Sequence, residues 1–250
     1  KDPLLSKQEN WRHYGDVPNN IGTVTGQAPR AVPSLVEKIT NSIDAMLIKA
    51  CVEKGDDPQS PNAPKTMGEA LQKYFGLDDE RYANLSDEER RKVASNIQII
   101  AEGSRSSPCI IIYDNGEGQF PQDFPRTLVS LNKKNKARIH FVQGKYNMGG
   151  TAVLPFCGDR RYQLIISRRS QSVPDGPYGF TLVRRNRGSE EDKISWYEYC
   201  VDSSGRIFEF HSESLDLGLH RANFTSGTYI KLYNYDLRNR SDVTLELWRD

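Results

Sequence analysis

At Cys109 the apolar pattern of this chain changes period, and that change limits the folds open to it more than any other feature. Before it, apolar residues recur from Leu35 at Val36, Ile39, Ile43, Met46, Leu47 and Ala50, the 3.6-residue spacing of one helix face. Pro33 and Ser34 fit the start of this helix, and Gly55 fits its stop. A loop at 55–65 carries Pro58, Pro61 and Pro64. Two short helices follow, each opened by a capping box, Thr66 with Glu69 and Ser86 with Glu89, and closed by Gly76 and Gly103. From 109 onward the runs are short, aromatic and β-branched. CIIIYD (109–114) reads as a buried strand. RYQLIISRR, YGFTLVRRN, SWYEYCVD, RIFEF and TYIKLYNYD read as a meander, with one helix at 149–156. Helices first and a mixed, mostly antiparallel sheet afterwards define an α+β chain. Residues 1–30 are polar and turn-rich, and are expected to form an extended arm or strap.

Composition removes several classes. A net charge of +1 over 250 residues, with 10% aromatics, argues against global disorder. No window approaches the ~18 apolar residues of a membrane-spanning helix, so no membrane partner is expected. Cys51, Cys109, Cys157 and Cys200 form no C-x-x-C pair. They read as reduced thiols of a cytoplasmic protein rather than zinc ligands or a disulfide framework. The N-terminal KDPLLSKQENWRHYG lacks a signal-peptide core and reads as the start of a piece of a longer protein. His13, His140, His211 and His220 fall in loops or at strand edges.

Four local segments carry chemistry. On the 35–53 helix, Asn41 lies ~40° and Asp44 ~20° around the axis from Glu37, so the three form one polar stripe. Alone it is an ordinary solvated face; functionally it offers a carboxylate base and an amide oxygen. Asp114-Asn115-Gly116-Glu117-Gly118 follows the buried strand. Asn-Gly is a common turn, but an acid ending a buried strand needs a partner, and an adenine amine is one. Gly144-Lys145-Tyr146-Asn147-Met148-Gly149-Gly150-Thr151 precedes the apolar AVLPF. Glycines ahead of a helix let backbone N–H groups approach phosphate; no Walker A pattern is present. Thr228, in Ser226-Gly227-Thr228, opens the last strand.

In this order the four segments resemble the GHKL superfamily (gyrase, heat-shock-90 chaperones, histidine kinases, MutL) with its Bergerat ATP-binding fold. The family pattern is E-x-x-x-N-x-x-D-A, then D-x-G-x-G, then a glycine box, then G-T at a late strand. The resemblance spans about Leu35 to Leu232. It implies a two-layer sandwich with helices on one face of the sheet, and a domain at 31–236 with a helical insertion at 55–108 and an ATP lid at 132–148. Residues 237–250 would begin a connection to a downstream region.

The resemblance also implies roles. Asp114, supported by Thr228, would accept from the adenine amine, with Gly116 and Gly118 close to the base. Asn41 would offer its oxygen to Mg²⁺. Gly144, Lys145, Tyr146, Asn147, Met148, Gly149, Gly150 and Thr151 would wrap the phosphates. Glu37 would activate the attacking water, and Asp44 would fix the stripe. Glu37 and Asp44 resemble the gyrase, chaperone and MutL branch rather than histidine kinases. Two residues depart from the pattern: Asn147 replaces a central Gly, and Gln119 replaces an apolar residue. The expected function is a Mg-dependent ATPase module of a larger machine that dimerises with ATP, slow when isolated. A non-hydrolysing nucleotide switch, a histidine-kinase-like domain and a structural protein with a degenerate pocket are the alternatives. A basic set on the meander, Arg160, Arg161, Arg168, Arg169, Arg184, Arg185 and Arg187, reads as a solvated face, with nucleic acid as the other reading.

Overall fold

The computed structural model describes residues 3–26, 30–78, 81, 83–131, 136–144, 149–188 and 194–237. Its centre is an eight-stranded sheet: β1 (Trp11–His13), β2 (Ile97–Ser104), β3 (Ser107–Asp114), β4 (Gln163–Arg168), β5 (Tyr178–Asn186), β6 (Trp196–Cys200), β7 (Phe208–Phe210) and β8 (Gly227–Leu232). The order is β1-β6-β5-β4-β8-β3-β2, with β7 paired to β5. Every pairing among the described strands is antiparallel. The chain is α+β, with the meander β4-β5-β6 on one side and β8 inserted between β4 and β3.

CIIIYD is continuously apolar because both faces of β3 are covered. Ile110 and Ile112 point to one side, where they meet Leu35, Val153, Cys157, Ile230 and Leu232. Ile111 and Tyr113 point to the other, against Ile166, Leu219, Phe224 and Tyr229. Period-2 alternation thus carries two different cores on one strand. The first face holds the long helix α3 (Ala31–Glu53), preceded by the short α1 (Pro3–Ser6) and α2 (Ile21–Gly26). The second is covered by irregular chain around 215–224 rather than left open.

The structure differs from expectation at the end of the Ser86 helix, at residues 149–156 and in the N-terminal segment. The Ser86 capping box forms as read: Glu89 N–H donates to Ser86 Oγ (3.3 Å) and Ser86 N–H donates to Glu89 Oε2 (2.9 Å). But helix α5 (Asp87–Ala94) ends well before Gly103, which lies in the β2–β3 hairpin with φ +84°. Ile97, Ile99 and Ile100 pair across to β3 and take strand geometry there. Helix α4 (Met67–Ala70) opens at Thr66 and continues through a wider π-type turn, Leu71–Phe75, to Gly76 at φ +64°. The helix expected at 149–156 is two 3-10 turns, Gly149–Thr151 and Leu154–Phe156, the second holding Pro155.

The third difference is the N-terminal segment, which is folded onto the sheet rather than extended. β1 pairs with β6, Tyr14 is 1% exposed, and Val24 is fully buried. Asn20 fixes it there: its amide donates to the carbonyls of Tyr14 (3.1 Å) and Tyr197 (2.8 Å), and its oxygen accepts from Tyr197 N–H (2.7 Å).

The insertion packs on the outer side of α3. Leu47, Ile48 and Cys51 of the helix join Ala63, Ala70 and Tyr74 of the insertion, and Ile139, Phe141 and Val142 of the expected lid, in one cluster. Tyr74 donates to Asp56 Oδ2 (3.0 Å), which Lys73 also bridges at 2.7 Å. No helix among the described residues is long and apolar enough to cross a membrane.

Candidate functional site

Helix α3 and the loop after β3 are joined directly. Glu117 N–H donates to the Ala45 carbonyl (3.1 Å), and Lys49 Nζ donates to the Asn115 carbonyl and side chain (3.0 Å each). Gly116 lies against α3 so closely that a Cβ there would stand 2.6 Å from Ala45 Cβ. Gly118, at φ +63°, has no room either, since a side chain would overlap the Arg168 carbonyl. The two glycines therefore let the loop pass between the helix and β4.

Between these elements is a cavity of about 380 Å³, within the ~300–1,000 Å³ range of small-molecule sites. α3 lines it with Lys38, Asn41, Ser42 and Ala45; the strands add Asp114, Thr228 and Ile230. Spacings of three and four residues put the four helical positions on one face. Gly118 and Gln119 form part of the wall, and so do Asp57, Pro58 and Gln59 of the insertion.

Asp114 is 6% exposed. Its Oδ2 accepts from Ser42 Oγ (3.1 Å) and its Oδ1 from Gly116 N–H (3.0 Å). Burial raises its pKa from 3.8 to about 7, opposed by the Gly116 and Ser42 donors, the Lys136 charge and the Thr228 backbone. Thr228 sits opposite Asp114 in the β3–β8 register. Its hydroxyl is 3.2 Å from Ser167 Oγ, which donates to the Gly227 carbonyl (2.7 Å) and accepts from Gln119 N–H (2.9 Å). Gln119, a departure from the family pattern, is thus tied by its backbone to the wall that holds Thr228.

Asp44 is fully buried and faces the start of the glycine segment. It accepts from Gln143 N–H (2.9 Å) and Gly144 N–H (2.8 Å), with Lys136 Nζ 3.9 Å away. Asn41 faces the same stretch: a Cβ on Gly144 would meet its Oδ1 at 2.5 Å. Gly150 lines the cavity, and Thr151 is fully buried. Lys145, Tyr146, Asn147 and Met148 lie outside the described residues, and Gly149 opens the first 3-10 turn. Glu37 is half-buried and is not among the cavity-lining residues. The structure therefore brings Asn41, Asp114, Gly118, Gly150 and Thr228 to one cavity, with Asp44, Gly116 and Gly144 beside it.

Sequence reasoning does not single out Lys38, Ser42 or Ser167, whereas Ala45 closes the first motif. A helical wheel centred on Asn41 instead of Glu37 finds Lys38 and Ser42. Lys38 is 6% exposed, and burial lowers its pKa from 10.5 to about 8, with the nearby Cys157 and Glu37 side chains acting in the opposite direction. Among the described residues no cluster of three or more His, Cys, Asp or Glu side chains could hold a metal. Asn41 remains as a single oxygen donor, and its amide makes no hydrogen bond there. One such donor suits Mg²⁺, which keeps most of its water and takes phosphate oxygens.

The basic residues of the meander are partly engaged within the protein. Arg168 is fully buried, donating to Tyr178 Oη (3.0 Å) and to the carbonyls of Pro174, Ser212 (3.1 Å) and Glu213 (3.1 Å). Arg169 pairs with Glu117 at 2.6 Å, and Arg184 with Glu198 at 2.7 Å. Lys133 and Lys134 of the expected lid lie outside the described residues.

No family model matches the chain, and no curated protein matches it. The chain is an α+β protein with an open antiparallel sheet and a cavity between its long helix and the sheet.

Proposed function

We propose that this chain binds and hydrolyses ATP with Mg²⁺, as a GHKL-type module of a larger machine that dimerises when ATP is bound. One observation carries the reading. The buried acid that ends β3 and the amide on α3 line the same cavity, in the arrangement the four ordered motifs imply. The Asp114 carboxylate would accept from the exocyclic amine of adenine; guanine presents a carbonyl at that place and would be refused. Thr228, held by Ser167, would support the same edge. Asn41 would hold Mg²⁺, whose role when bound is to neutralise phosphate charge. Gly144 and Gly150 keep the backbone near the phosphates, and Asp44 fixes the entry of that segment. Glu37, one position from the cavity-lining Lys38, would orient the attacking water, since phosphoryl transfer is chiefly positioning and charge stabilisation.

A second reading has an observation of its own. Glu37 is not part of the cavity wall, which favours a switch that holds ATP without hydrolysing it. Thermal unfolding with and without Mg·ATP tests the common part. Ligand at 100 times its dissociation constant stabilises by ~2.7 kcal/mol. Wild type and Glu37→Ala are expected to show this shift, and Asp114→Asn to lose it. A shift retained in Asp114→Asn means that the adenine assignment is wrong. Phosphate release by wild type but not by Glu37→Ala separates an ATPase from a switch.

A further inference from the structure

Lys38 is a buried cation to which the motifs give no role. It lies on the cavity-facing side of α3, one turn before Asn41 and Ser42. Its Nζ is 3.9 Å from where a Cβ on Gly150 would stand, so the ammonium sits beside the turn Gly149–Thr151 that ends the glycine segment. Among the described residues it makes no hydrogen bond and no ion pair. Two groups act on its charge, Glu37 beside it on α3 and the Cys157 thiol below the turn. The thiol is itself pushed up to about 12 by burial, so it supplies no anion.

A buried, unpaired ammonium is costly unless something anionic meets it. A simple packing role would be filled better by Leu or Met. The neighbouring groups specify the anion. Asn41 offers a neutral oxygen and Gly150 a close backbone; of the other acidic side chains in the wall, Glu117 is paired with Arg169 at 2.6 Å and Asp57 lies on the insertion. An oxyanion with several oxygens and its own metal suits that set.

We propose that Lys38 is the phosphate-binding cation of this cavity, contacting the outer phosphates of a nucleoside triphosphate from within the same chain. The identity of the ligand rests on the ATP reading above; the assignment of an oligophosphate to Lys38 rests on the ammonium itself. Lys38 places a cation in the cavity from within the same helix that carries Asn41, and it makes affinity depend on the number of phosphates.

The test is isothermal titration of wild type, Lys38→Met and Lys38→Gln with Mg·ATP, adenosine and tripolyphosphate. Circular dichroism checks that each variant is folded, and the Gln variant serves if Met does not fold. A charge-assisted contact to phosphate corresponds to roughly 10- to 100-fold in affinity. The variants are expected to bind ATP and tripolyphosphate at least tenfold more weakly than wild type, with adenosine unchanged. Equal weakening of ATP and adenosine would show that Lys38 only supports the fold, and unchanged ATP and tripolyphosphate would show that it touches neither. Wild type that binds tripolyphosphate through Lys38 but gains nothing from adenine overturns the ATP reading and leaves this one standing. Wild type that binds none of the three overturns both.

Discussion

Asp114 and Lys38 line one cavity and are each 6% exposed, yet the chain treats them oppositely. Around Asp114 the protein supplies the partners: Ser42 and Gly116 donate to the carboxylate, and the Ser167–Thr228 hydroxyls continue the hydrogen bonding next to it. Around Lys38 the described residues supply the Glu37 charge but no hydrogen bond, and Asn41 on the same helix face likewise makes no hydrogen bond among them. At the Asp114 end the buried polar group is satisfied by the chain itself. At the other end the Lys38 cation faces the cavity, with the Glu37 charge partly offsetting its burial. A ligand therefore needs only to fit at the first end, whereas at the second it has to bring negative charge. That division is what a molecule with a neutral planar base and a charged tail would require.

The comparison can be broken most sharply at the acid. Burial raises Asp114 to about 7 from 3.8. The folded state then holds a proton that the unfolded state releases, so this group favours folding below pH 3.8, and the benefit is lost as pH rises through 7. Three pKa units correspond to about 4 kcal/mol. Asp114→Asn removes this titration and keeps the shape. Relative to wild type, the ligand-free variant should gain stability as pH rises from 4.5 to 7.5, by up to that amount in urea unfolding. A gap that does not move with pH removes the buried-acid account. At Lys38 the sign reverses. Its pKa is lowered to about 8 from 10.5, so the unfolded state binds the extra proton, and the penalty is complete below pH 8 and gone above 10.5. Lys38→Met should be more stable than wild type at pH 7.5, by about 3 kcal/mol at most, with the advantage shrinking by pH 9.5. If the same protocol shows the Met variant destabilised at every pH, Lys38 has partners that the geometry does not reveal.

How much of this was legible in the sequence differs between the same two ends. Asp114 announced itself, because an acid closing a continuous apolar run is a local anomaly, and the run is continuous because β3 is buried on both faces. Gly116 and Gly118 are legible only through the resemblance to D-x-G-x-G. Lys38 was not legible. Among the apolar positions of α3 it looks like one more charge on a mixed helix, and only the position of Gly150, more than a hundred residues away, makes it a cavity residue. The sheet order was hidden in a similar way: nothing local says that β8 inserts between β3 and β4. The sequence carries the Ser86 helix on to Gly103, across Ile97–Glu102, because the capping box at Ser86 is real, and a cap fixes where a helix starts but not where it stops. The insertion showed its helices but not that Asp57, Pro58 and Gln59 reach the cavity wall, since that depends on a cluster shared with Ile139 and Phe141.

Two smaller substitutions sharpen the contrast. Asp44 ties α3 to the start of the glycine segment through the Gln143 and Gly144 amides. Asp44→Ala leaves both donors without their acceptor. Gln143 is exposed and Gly144 half-buried, so water recovers part of the loss, and the expected cost is about 2 kcal/mol. Hydrogen exchange should show it as lost protection at those two amides, with β3 and β8 unchanged. Protection lost across the sheet as well would mean that Asp44 holds more than one segment.

The smallest effect separates the acid from its support. Ser42 is 3% exposed, and its hydroxyl is worth about 1 kcal/mol as a hydrogen bond to Asp114. Ser42→Ala preserves the volume and removes a donor that favours the ionised carboxylate. Two consequences follow from one cause. The variant loses about 1 kcal/mol at pH 7.5, where wild-type Asp114 is largely ionised, and much less at pH 4.5, where it is protonated in the folded state. The midpoint of the Asp114 titration, followed by carboxyl carbon NMR, moves further above 7. A loss of equal size at both pH values with an unmoved midpoint would mean that Ser42 bonds the neutral acid as well as the anion. Discrimination by Asp114 would then have to come from Gly116 and the strand pairing with Thr228 alone.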